Sequence, residues 1–167
     1  MKNLHVNYEN GFTLPGKRSL IEFIEGDEDP VIGDRFLKKQ GRMSIDTRKT
    51  GLIVSDTKPK TSLRHLQHKL ESNQVLLDYG VAIALLKNFE FIPREWRKYR
   101  GITFCGCFLG WLHPYTGYVL EHVRIEVPIL KVSSGSVEII LKNYPMPEYG
   151  EEWNYKDFPV AFYNKVK

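Results

Sequence analysis

From residue 102 to residue 141 the chain is a series of short apolar stretches separated by turn residues, and no other feature limits its fold as much. Residues 102–112 and 118–127 read as strands joined by His113-Pro114-Tyr115-Thr116-Gly117, where proline presets one turn dihedral and glycine supplies another. Side chains alternate along a strand, so Val119, Val123, Ile125 and Val127 point one way and Leu120, His122, Arg124 and Glu126 the other. Pro128 has no N–H to give a ladder and marks a strand end or a sheet edge. Residues 129–132 and 137–141 make a second pair across Ser133-Ser134-Gly135-Ser136, and residues 158–163 a last strand.

The first half is less regular. Leu20, Ile21, Phe23 and Ile24 suit a short helix over residues 17–25, ended by Gly26 and Pro30, and residues 31–37 suit a strand. Residues 43–46 and 52–55 read as a hairpin carrying Arg48 and Lys49 at its tip. Thr61 or Ser62 can cap a helix on which Leu63, Leu66, Leu70 and Leu77 recur, with Asn73 interrupting the stripe. The apolar run at residues 81–86 fits a buried strand or a buried helix equally, because periodicity does not separate them. The expected fold is therefore α+β: a single domain over residues 1–167, one or two helices packed on a mostly antiparallel sheet, with a β-meander in the C-terminal half.

A chain of 167 residues with 42% apolar and 26% charged side chains has enough material for one substantial core. Its longest apolar run, residues 80–86, is far short of the ~20 needed to cross a bilayer, and residues 1–5 have no apolar signal-peptide core. Cys105 and Cys107 do not make a disulfide framework. A reducing, cytoplasmic setting is expected, without membrane association.

Charge is unevenly placed. Residues 9–34 hold seven acidic and two basic side chains, a net −5, while residues 35–69 hold ten basic and two acidic ones, a net +8. A chain with an overall charge of +4 can thus build a positive face that concentrates anionic partners, unless the two segments lie together and cancel. Arg94, Trp96, Arg97, Lys98, Tyr99 and Arg100 add four cations interleaved with two aromatics. Arginine and lysine neutralise phosphates, aromatic rings stack on unpaired bases, and an Arg48/Lys49 ribbon tip suits a groove. Equally, Trp96 and Tyr99 suit the buried side of a turn whose charged side is merely solvated.

Other constellations carry less. Glu121, His122 and Arg124, with His113 nearby, have the side-chain chemistry of a metal-independent ribonuclease, although alternation turns Glu121 away from His122. Cys105 and Cys107, placed on one strand face, sit one residue too close for a zinc knuckle and fit small buried apolar residues better. His65 and His68 share a helix face without the carboxylate of a metalloprotease motif. Between Gly11 and Ser19 the glycine spacing matches a phosphate loop, but Arg18 replaces the magnesium-binding hydroxyl, Ser19 comes one place late and Pro15 removes a donor. No metal and no cofactor is expected.

Residues 144–155 form an aromatic loop whose Tyr149, Trp153 and Tyr155 suit either a protein interface or a cover over the chain's own sheet. The leading expectation is a small non-enzymatic protein that binds nucleic acid or another polyanion, or an acidic protein surface, through Arg48, Lys49 and residues 94–100. An inhibitor or adaptor acting through the aromatic loop, and a small ribonuclease, are the alternatives.

Overall fold

The computed structural model describes residues 3–9, 12–16, 18–22, 31–32, 41–55, 62–111, 125–145 and 149–166. Its strands are β1 (Leu4–Asn7), β2 (Arg18–Glu22), β3 (Val31–Ile32), β4 (Arg42–Ile45), β5 (Thr50–Ile53), β6 (Gln74–Leu76), β7 (Ile102–Thr103), β8 (Phe108–Trp111), β9 (Ile125–Ser133), β10 (Ser136–Asn143) and β11 (Val160–Asn164). The one α-helix among the described residues, α1, spans Tyr79–Lys87. This is an α+β fold with a mostly antiparallel sheet.

Strand β9 is the spine. Strand β10 runs along one side of it, from Ser136 opposite Ser133 to Asn143 opposite Glu126. On the other side β8 and β7 lie end to end, Leu109 opposite Glu126 and Ile102 opposite Leu130. From that fork β8 leads to β2 and β3, while β7 leads to β11, which carries β5 and β6. Only the β7–β11 contact is parallel among the described pairings.

Pro128 sits at the fork, in the middle of β9 rather than at a strand end. The Tyr144 N–H donates to the Ile125 carbonyl at 2.8 Å, so Ile125, Val127, Ile129 and Lys131 direct their backbone groups at β10. Pro128 faces the opposite way, where β7 has ended and β8 not begun. No donor is needed there, and its carbonyl accepts from Phe104 N at 3.0 Å. Residues 102–112 accordingly form two short strands instead of one.

The sheet is buried on both faces. Neighbouring residues Leu20 and Ile21, Phe108 and Leu109, Ile129 and Leu130, and Val160 and Ala161 divide between two separate cores. Helix α1 and the β1–β4 ribbon cover the first face, with Tyr8, Tyr79, Ala82 and Leu85 in that core. Leu63 and Leu66, on a 3₁₀ turn spanning Leu63–Lys69, cover the second together with Tyr144, Trp153 and Tyr155. Cys107 belongs to the first core and Cys105 to the second, because after Phe104 the chain leaves β9 and Gly106 N donates to the Leu77 carbonyl instead; the two thiols do not share a face. No disulfide joins them.

Three local expectations are corrected. Arg18–Glu22 is strand, not helix: two consecutive apolar residues serve two cores, which imitates a helical cluster. The 43–46 and 52–55 segments do not form a hairpin. Ile45 pairs with Leu4 and Ile53 with Val160, and Asp46 accepts the Arg48 N–H to start a 3₁₀ turn, Thr47–Lys49, between them. The helix expected after Ser62 is a 3₁₀ turn. The apolar run at 81–86 is helical, framed by Asp78, which accepts from Val81 N at 3.1 Å, and by Asn88, whose side chain donates to the Ala84 carbonyl at 2.9 Å. Among the described residues no helix is long and apolar enough to cross a membrane.

Candidate functional site

Residues 94–98 form a 3₁₀ turn entered through Pro93. Trp96 is its anchor: only 2% exposed, it packs edge-on to Phe104 with ring centroids 6.2 Å apart. With Trp96 turned inward, Arg94, Arg97 and Lys98 stand in solvent, and Arg100 follows them, also exposed. Tyr99 is half-buried, with the Lys98 ammonium 5.2 Å from its ring. The cations are therefore available, while Trp96 is not free to stack on a base.

A ring from the end of the chain joins this turn. The Phe158 carbonyl accepts from Trp153 Nε1 at 2.8 Å and from Thr103 Oγ1 at 3.0 Å, which fixes the residue beside β7. Gly101 lets the segment before β7 close on β9, since a Cβ there would collide with the Ile129 side chain. Two cations flank the ring: Arg100 at 5.7 Å and Lys142 at 5.2 Å. Arg100 also reaches Asp157 at 3.4 Å, a long and exposed pair of small energetic weight. Lys142 was not foreseen. Its place on the same side of β10 as Glu138 and Ile140 was readable from alternation, but its nearness to residues 94–100 depends on where Phe158 packs.

The expected single basic face is divided. Lys49 lies beside Asn164, whose side-chain amide donates to the Lys49 carbonyl at 3.1 Å, at one end of β11. Gly101 and Arg100 meet Asp157 at the other end. At a strand rise of about 3.3 Å per residue the five residues of β11 put roughly 13 Å between the two ends, and Asp157 lies beyond the first of them. Arg48 is moreover held by Asp46, at 2.9 Å from Nε and 2.8 Å from Nη2, and these hydrogen bonds bring the Asp46 carboxyl down to about 2. Arg42 pairs with Glu9 at 3.2 Å, so the acidic and basic segments cancel in part. Arg18 pairs with Glu126 beneath the Trp111 ring. Among the described residues no acidic side chain pairs with Arg94, Arg97 or Lys98.

The aromatic loop mainly covers the sheet. Trp153 is 8% exposed and Tyr155 is buried beside it, whereas Tyr149 is 76% exposed. Of the three expected interface aromatics, Tyr149 alone is exposed. His113, Glu121, His122 and Arg124, the candidate nuclease residues, lie outside the described residues. His65 and His68 are exposed, with His65 Nδ1 2.9 Å from Ser62 Oγ. Among the described residues no three His, Cys, Asp or Glu side chains converge as metal ligands would.

One buried acid escaped the sequence reading. Asp78 caps α1, and the Tyr8 hydroxyl donates to its carboxylate, 3.0 Å from either oxygen. Its bonds are internal and structural. Comparison with protein-family models, with curated proteins and with solved structures finds no match.

Proposed function

We propose that the protein binds a polyanion, with a nucleic-acid backbone as the ligand class, through Arg94, Arg97, Lys98 and Arg100 together with Lys142. The carrying observation is the contrast among its arginines. Arg18, Arg42 and Arg48 are engaged by carboxylates, while Arg94, Arg97 and Lys98 are exposed and unmatched among the described residues, on a turn pinned by buried Trp96. A pinned turn holds its charges in place before a ligand arrives, which reduces the ordering cost of binding.

Contacts of this kind are made to phosphates and carry no sequence information, so the reading is of backbone binding without strong base preference. Five phosphate contacts give a slope of log affinity against log salt of about −3.5 for single strands and about −4.5 for duplex. Fluorescence anisotropy of labelled single- and double-stranded oligonucleotides across a salt series measures it. Arg97→Glu is expected to weaken binding at least tenfold at low salt and to flatten the slope. Arg48→Glu, at the opposite end of β11, is the control and is expected to change affinity little. Binding that ignores salt, or an Arg97→Glu protein that binds as well as wild type, removes the proposal.

A further inference from the structure

The outer edge of β10 carries a self-complementary pattern. Among the described residues β10 pairs with β9 and with no other strand. It is eight residues long, Ser136–Asn143, with Val137, Ile139, Ile140 and Leu141 all half-buried. An edge of this length with apolar residues along it is a template for another strand.

Its hydrogen-bonding phase is fixed. Tyr144 N donates to Ile125, so Ser136, Glu138, Ile140 and Lys142 turn their backbone groups inward to β9. Val137, Ile139, Leu141 and Asn143 turn theirs outward. An added antiparallel strand must match outward residues with outward residues. For a second copy of β10 this requirement holds when the two strands are centred on Ile140. Ile139 then faces Leu141 of the other copy and Val137 faces Asn143, both as hydrogen-bonded pairs. Glu138 faces Lys142 of the other copy twice over, in non-hydrogen-bonded pairs, where Cα atoms approach to about 4.5 Å and side chains meet most closely.

We propose that the protein forms a two-fold homodimer by antiparallel pairing of β10 with β10, registered by the two Glu138–Lys142 ion pairs. Opposite charges directly across a strand pair stabilise it and like charges oppose it. Among the described residues Glu138 is paired with Lys131 on β9, at 3.8 Å with both side chains about half exposed, a distance that leaves its carboxylate open to a nearer partner. A two-fold axis through such a pair keeps equivalent faces of the two sheets on the same side. The proposal rests on strand register and charge; it shares Lys142 with the anion-binding reading, and Glu138→Lys, which leaves Lys142 in place, is the variant that separates the two.

Light scattering coupled to gel filtration, over a wide concentration range, tests it. Wild-type protein is expected at twice the 19.5 kDa chain mass. Glu138→Lys alone and Lys142→Glu alone each create like-charge pairs and are expected to give monomer with unchanged circular dichroism. The double variant restores both pairs and is expected to return to dimer. Hydrogen exchange gives a second reading: the outward amides of Ile139 and Leu141 are expected to be slow in the wild type and fast in either single variant. A wild-type monomer at every concentration overturns the proposal and leaves the edge to an extended segment of another protein. A dimer indifferent to both reversals overturns it as well, by placing the interface elsewhere.

Discussion

Asp78 carries a carboxylate into the core beneath β1, where three kinds of neighbour act on it. Burial, the strongest, raises its pKa; hydrogen bonds from the Val81 N–H, the Tyr8 hydroxyl and the Gly80 N–H oppose that rise without cancelling it. The Tyr8 hydroxyl is itself pushed far up, by burial first and by Asp78 second, so it remains a proton donor. Among the described residues Cys107 acts on both Tyr8 and Tyr79. A carboxyl group whose pKa is raised on folding adds stability that is fully present below its unfolded value, near 3.8, and is lost as pH rises through the folded value. Asp78→Asn keeps the shape and removes the titration. The urea midpoint of wild type relative to Asp78→Asn is therefore expected to fall as pH rises from about 4, where an unperturbed aspartate titrates. A pH-independent difference would show that the carboxylate is as well solvated in the fold as outside it. The sequence reading passed over the residue because residues 81–86 fitted strand and helix equally, and its burial depends on Tyr8, seventy positions earlier.

Helix α1 was ambiguous in the sequence because nearly every residue in it is apolar, and such a run lacks the one-sided stripe that identifies a surface helix. Its Gly80 shows what the element is built around. Alanine in a helix interior is normally favoured over glycine by roughly 0.5–1 kcal/mol. At this position a Cβ would lie 2.6 Å from both the Phe12 and the Tyr8 rings, which themselves meet edge to face. Overpacking of this kind costs about 1–3 kcal/mol, so the packing effect exceeds the propensity gain. Gly80→Ala is expected to lower the urea midpoint; a rise would mean that the aromatic layer over α1 yields easily. Strand β2 is the converse case. Alternation is a signal for a strand with one wet face, and Leu20 and Ile21 are buried on both, so the period that would have revealed the strand is absent.

At the scale of the whole molecule, the antiparallel C-terminal sheet and the β9–β10 hairpin were legible because each is a local feature with its turn written between its strands. The pairings of β1 with β4, and of β11 with β5, were not, because no property of residues 42–53 identifies a partner at either end of the chain. The charge pattern misled for the same reason: Lys49 lies at one end of β11 and Arg100 near the other, and Lys142 joins the latter from another strand.

The fork at Pro128 also has a kinetic meaning. Both wings of the sheet require β9, and the eight residue pairs joining β9 to β10 close over the two residues Ser134 and Gly135, whereas β11 waits for segments far away in the chain. Loop closure is least costly for the hairpin, so folding begins there and the wings add later. Conservative truncations at Ile129 or Leu130 are then expected to slow refolding, and truncation at Leu52 in β5 to speed unfolding while leaving refolding nearly unchanged, in stopped-flow denaturant series. The reverse assignment would put the starting structure in a wing. A residue that cannot join the ladder on one side of β9 thus divides the molecule in time as well as in space, into a seed and two parts that assemble on it.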